Sequence, residues 1–109
     1  MSLNELAKSI HDCAVRHGWW DGNRPMGDVI ANIHSEITEA WEFYRSGMPL
    51  NEVHYSENNK PDGFPIELAD TIIRILDLSA RLGLDMDALI AEKQAYNEKR
   101  PYRHGGKLA

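Results

Sequence analysis

The chain has 109 residues, 42% hydrophobic and 27% charged, with 17 Asp and Glu against 12 Lys and Arg, for a formal net charge of −5. That length suits one domain with a thin core, no uncharged apolar run approaches the ~18 residues of a membrane span, and the acidic balance argues against a nucleic-acid polymer as main partner. The single Cys13 excludes an internal disulfide, and the opening MSLNELAKSIHDC lacks the marks of a secretory signal, so the expected location is the cytoplasm.

Leu3, Leu6, Ala7, Ile10, Cys13 and Ala14 recur at helical spacing, which predicts a first helix from Leu3 to His17 with Gly18 as its stop. Cys13 falls on the core stripe and reads as a small buried hydrophobe. GWWDGNRPMG is a loop by its glycines and proline. A second helix follows from Asp28 to Ser46, ended by Gly47; Ile30, Ile33, Ile37, Ala40, Trp41 and Tyr44 form its apolar stripe, with Trp41 expected in the core. Residues 48–63, MPLNEVHYSENNKPDG, are polar and turn-rich with no convincing strand, a long connection of the functional or mobile kind. Pro65 suits a first helical turn, so a third helix is predicted from Pro65 to Leu82, stopped by Gly83. The fourth runs from Asp85 to Lys99 and is ended by Pro101. The expected architecture is an all-α four-helix bundle in one domain, residues 1–100, followed by a loose tail, 101–109.

The third helix is apolar almost all the way round. Glu67, Asp70, Arg74, Asp77 and Arg81 occupy one narrow stripe, since successive residues turn by about 100°. A helix apolar on two sides needs two packing partners, so an oligomer using this helix is expected. Asp77 extends the acidic stripe and has Arg74 and Arg81 near enough along the helix to pair with.

Two acidic pairs share i, i+3 spacing: Glu36 with Glu39, and Glu67 with Asp70. If the second and third helices pack side by side, four carboxylates converge, and such a cluster must protonate or take up a cation. Carboxylates without Cys or His at ligand spacing select a hard ion, magnesium or manganese, over zinc. A di-iron bundle would need Glu-x-x-His on two helices, and neither pair has the histidine. On the fourth helix Lys93, Asn97 and Arg100 prolong the stripe begun by Met86, Leu89 and Ile90, so they are expected to point toward a cleft, where they suit phosphate oxygens.

IHSEITEAWEFYR, KPDGFPIELADTIIRILDL and KQAYNEKRPYRHGGK, in that order, resemble the acidic and cationic blocks of the MazG-like all-α nucleoside triphosphate pyrophosphohydrolases. The resemblance spans most of the chain. It implies that Glu36, Glu39, Glu67 and Asp70 hold magnesium and that Lys93, Asn97 and Arg100 meet the phosphates or sugar. It further implies that His11 and Trp20 sandwich the base, and that the chain forms a dimer or tetramer. The reaction so implied converts a nucleoside triphosphate to the monophosphate and pyrophosphate, with Glu36 or Glu39 as the base that deprotonates the attacking water. The alternative is a non-catalytic helical module that senses a nucleotide or binds a protein partner.

Overall fold

The computed structural model describes residues 1–102, and its element order begins with helices α1 (Leu3–Arg16) and α2 (Met26–Arg45). Two short strands follow, β1 (His54–Tyr55) and β2 (Pro61–Asp62), then helices α3 (Phe64–Arg81) and α4 (Met86–Glu98). The all-α class expected from periodicity is what forms. Among the described residues no helix is long and apolar enough to cross a membrane. From residue 103 onward the expected tail lies outside the described residues.

The strands were not expected. They pair antiparallel, His54 with Asp62 and Tyr55 with Pro61, around a 3-10 turn at Glu57–Asn59. Two-residue strands are too short to show an alternating pattern. Asn58 and Asn59 both take positive φ, 66° and 58°, a conformation Asn tolerates better than most residues. The Ser56 amide donates to the Lys60 carbonyl at 3.0 Å and closes the turn.

This hairpin leads directly into α3 through Gly63, whose φ is +120°. A Cβ there would lie 2.6 Å from the Glu52 carbonyl oxygen, so only glycine lets the 48–63 segment fold back onto the start of α3. An edge-to-face contact of Phe43 with His54, centroids 5.7 Å apart, ties the same segment to α2.

Helix α3 lies in the middle, packed along α1 on one side and α2 on the other. Helix α4 docks mainly by its first turn. Asp87 accepts from the Leu3 and Asn4 amides at 3.0 Å each, and Asn4 Oδ1 accepts from the Met86 amide at 2.9 Å. Each helix thus caps the other's exposed N–H groups and sets a carboxylate against the paired positive ends. Ser2 and Glu5 complete a capping box on α1.

Helices α1, α2 and α3 therefore form the packed centre, with α4 joined to it mainly through α1. Among the described residues the buried apolar side chains are Ala7, Trp20, Val29, Ala40 and Leu76. The Cα radius of gyration is 16.7 Å, against about 13 Å for a compact domain of this length. Cys13, expected inside, is exposed at a cleft rim. Trp41, also expected in the core, is 53% exposed and packs on Tyr44 along the outer side of α2.

Gly63→Ala meets both a forbidden φ and a backbone oxygen that no side-chain substitution can move. It should destabilise the protein by about 2 kcal/mol or more, read as a lower urea midpoint at unchanged slope, and Glu52→Ala should not rescue it.

Candidate metal and substrate site

Where α2 crosses α3, Glu36, Glu67 and Asp70 each place an oxygen within 4.8 Å of the others. Glu36 and Glu67 are only 7% and 6% exposed. Helical periodicity delivers them: Glu36 shares the inward side of α2 with Ala40, and Glu67 the inward side of α3 with Thr71. Glu39, one turn on from Glu36, is exposed at the edge of the cluster and close enough to act on Glu67 by hydrogen bonding and by charge. The structure thus clusters three of the four carboxylates singled out by spacing, with Glu39 at the edge beside Glu67.

One cation enters the cluster. Arg74 Nε donates to Glu36 Oε1 at 2.6 Å. Burial alone would raise the Glu36 carboxyl, but the Arg74 guanidinium, with hydrogen bonding toward Glu67 and Glu39, outweighs it and holds Glu36 below its ordinary value. Glu67 has no such partner. Burial first, then hydrogen bonding toward Glu39 and Glu36 and the charges of Glu39 and Asp70, push it up to about 9. Asp70 is also raised, by burial and by the charge of Glu36, against the opposing pull of Arg74.

Glu67 Oε2 is buried with no hydrogen-bond partner. A buried carboxylate oxygen left unpaired is costly, and a divalent ion would satisfy it. The donor set is all carboxylate, which fits magnesium or manganese.

Two clefts flank the cluster. The larger, about 550 Å³, lies against α1 and combines Ile10, Ala14, Ile73 and Trp19 with Arg24 and Arg74, reaching the carboxylates at Glu36 and Asp70. The second, about 420 Å³, lies against the hairpin and reaches the cluster at Glu39 and Glu67.

Asp77 sits along the α3 stripe from the cluster, and its partners are not the arginines on its own helix. It lies 2.7 Å from His11 Nδ1 and accepts from Trp20 Nε1 at 3.0 and 3.1 Å. Arg24 and Arg81 each stand 4.9 Å from the Trp20 ring centroid. His11 and Trp20 are therefore neighbours, but they touch edge to face, centroids 5.7 Å apart at 64°. No base-width gap separates them, and Trp20 is buried. Trp19, 56% exposed, is the tryptophan presented to the larger cleft.

Lys93, Asn97 and Arg100 do not face this site within one chain. Lys93 and Asn97 are exposed and Arg100 is half-exposed. The Lys93 and Arg100 cations lie 4.7 and 5.8 Å from the Tyr96 ring centroid, and none of the three residues lines either cleft. Within one chain α4 buries no side chain and so has no inward side beyond its first turn.

Sequence reasoning did not identify Arg74, Arg24 or Trp19 as parts of the site. Arg74 carried a usable signal, four residues from Asp70 on the same stripe. Arg24 and Trp19 carried none, because loop residues have no periodicity. Comparison with protein-family profiles, with curated proteins and with solved structures finds no match for this chain.

Glu67 ionises near 4.5 when unconstrained and near 9 in the fold, so between those pH values the unfolded chain has released a proton that the folded one keeps. Stability of the metal-free protein should fall as pH rises through that window, and saturating magnesium should flatten the loss. Glu67→Gln should be more stable than wild type at pH 8 without metal yet gain nothing from magnesium. Thermal melts across pH with and without the ion check both outcomes.

Proposed function

We propose that the chain is a magnesium-dependent nucleoside triphosphate pyrophosphohydrolase, acting on a nucleoside triphosphate to give the monophosphate and pyrophosphate. The observation that carries this reading is the meeting of Glu36, Glu67 and Asp70 at one point, with Glu39 acting on Glu67 from the edge and a buried Glu67 oxygen unpaired. The resemblance of the acidic blocks to MazG-like enzymes supports it, as do the two clefts that join there. Glu36, Glu67 and Asp70, with Glu39 at the edge, would hold the ion. A bound divalent ion neutralises phosphate charge and makes water a stronger acid.

The remaining roles belong to the chain's own side chains. Arg74 fixes Glu36 in its ionised form and orients it. Glu39, exposed at the mouth of the hairpin-side cleft, is the carboxylate placed to take the proton from the water that attacks the α-phosphorus. The larger cleft has the apolar walls and the exposed Trp19 ring that a nucleoside needs.

The assembled form in this reading is a homo-oligomer. Ile30, Ile37, Trp41 and Tyr44 line the outer side of α2, and Leu68, Ile72, Ile75 and Leu82 that of α3, all more than a third exposed. Such continuous apolar stripes on a chain with so small a core call for a second copy to cover them. A second copy would also close the bundle and supply Lys93, Asn97 and Arg100 to the clefts of its partner.

Glu39→Gln should reduce turnover of a nucleoside triphosphate by roughly 10² to 10⁴ while the protein keeps binding magnesium; turnover indifferent to the change would leave a nucleotide-sensing module as the better reading. Mixing Lys93→Ala chains with Glu39→Gln chains, each inactive alone, should restore turnover through sites that draw one good residue from each copy. A mixture as inactive as its components would place Lys93 outside the site.

A further inference from the structure

We infer that Lys60 is a phosphate-binding residue, and that the hairpin-side cleft seats the phosphate chain and the departing pyrophosphate. The identity of the ligand rests on the pyrophosphohydrolase reading; the placement of the cation does not. That cleft is lined by Glu39, Glu42, Asp62 and Glu67, and Lys60 is the one cation among its described lining residues. Despite those four carboxylates, Lys60 makes no salt bridge among the described residues. An ammonium ion held near like-charged acids but closed on none of them remains available to an incoming anion.

The other cations around the cluster are already engaged. Arg74 is bound to Glu36 at 2.6 Å, and Arg24 and Arg81 lie against the two-ring system of Trp20 at 4.9 Å each. They also belong to the opposite side of the carboxylates. Among the described lining residues Lys60 gives the hairpin-side cleft its positive charge, and its field reaches the cluster, where it opposes the upward shift of Asp70.

The position is built. The Lys60 carbonyl accepts from the Ser56 amide at 3.0 Å, β2 begins at the next residue, and Gly63 clamps the strand's end against Glu52. The backbone is therefore fixed beside the first turn of α3, while the side chain is exposed and can follow an anion that enters and leaves. A phosphate chain seated beside these carboxylates would need a cation on its cleft side, because the acids lining the cleft would otherwise repel it.

Inorganic pyrophosphate, titrated calorimetrically into the full chain with magnesium, tests the assignment without depending on turnover. Lys60→Ala should weaken pyrophosphate binding about tenfold or more, the loss of one charge-assisted contact. Lys60→Arg should stay within roughly threefold of wild type, and the affinity for a nucleoside monophosphate should not change in either. Unchanged pyrophosphate affinity in Lys60→Ala overturns the inference, and so does an equal loss for the monophosphate, which would mark a general field and not a seat. A wild type that hydrolyses triphosphates but ignores Lys60→Ala sinks this inference and leaves the function standing. A wild type that binds pyrophosphate through Lys60 without hydrolysing any triphosphate does the reverse.

Discussion

The crowding of four carboxylates at the α2–α3 crossing is the constraint on which the rest of this molecule depends. Two of them, Glu36 and Glu67, are nearly buried, and a single guanidinium, Arg74, enters among them. Arg74 satisfies Glu36 and leaves Glu67 with a buried oxygen that has no partner and a proton it would otherwise have lost. Replacing such a group with an apolar residue would be the simpler way to stabilise a helix pair. Its retention in a protein with so little core to spare is intelligible if the repulsion is relieved by a cation and used in chemistry.

The polar stripe of α3 organises everything around this point. From its first turn to its last, Glu67 and Asp70 meet α2, Arg74 crosses to Glu36, Asp77 gathers His11 and Trp20, and Arg81 covers the Trp20 ring. Arg74, Asp77 and Arg81 each have a partner from another element, whereas Glu67 and Asp70 are left to the carboxylate cluster. The remaining circumference is apolar, and one chain covers only part of it. A thin core and a charged interior are thus two sides of one arrangement, in which the carboxylate cluster takes up part of the little buried volume the chain has.

Helix existence and helix ends were legible because hydrophobic periodicity, Gly18, Gly47, Gly83 and Pro101 are local signals that tertiary packing did not override. The carboxylate pairs were legible too, since i, i+3 spacing forces both members toward one neighbour. Less legible was which apolar side of a helix one chain covers. Cys13 and Trp41 sat on good apolar stripes, yet one lines a cleft rim and the other faces outward, because the chain has too few elements to cover both sides. Lys93, Asn97 and Arg100 do not reach the clefts of their own chain, because α4 docks mainly by its first turn. Asp77 offered two arginine neighbours on its helix, and its actual partners come from α1 and the following loop, 66 and 57 positions away. The mutual capping of α1 and α4 through Asn4 and Asp87 is equally nonlocal.

The central claim is that Glu67 holds a proton in the metal-free fold and surrenders it to a divalent ion. Calorimetric titration of manganese into the protein at pH 7, repeated in buffers of different ionisation enthalpy, counts the protons released as the site fills. The account predicts binding with release of about one proton, a release that vanishes in Glu67→Gln. Tight manganese binding with no proton released, or no binding at all, would contradict it.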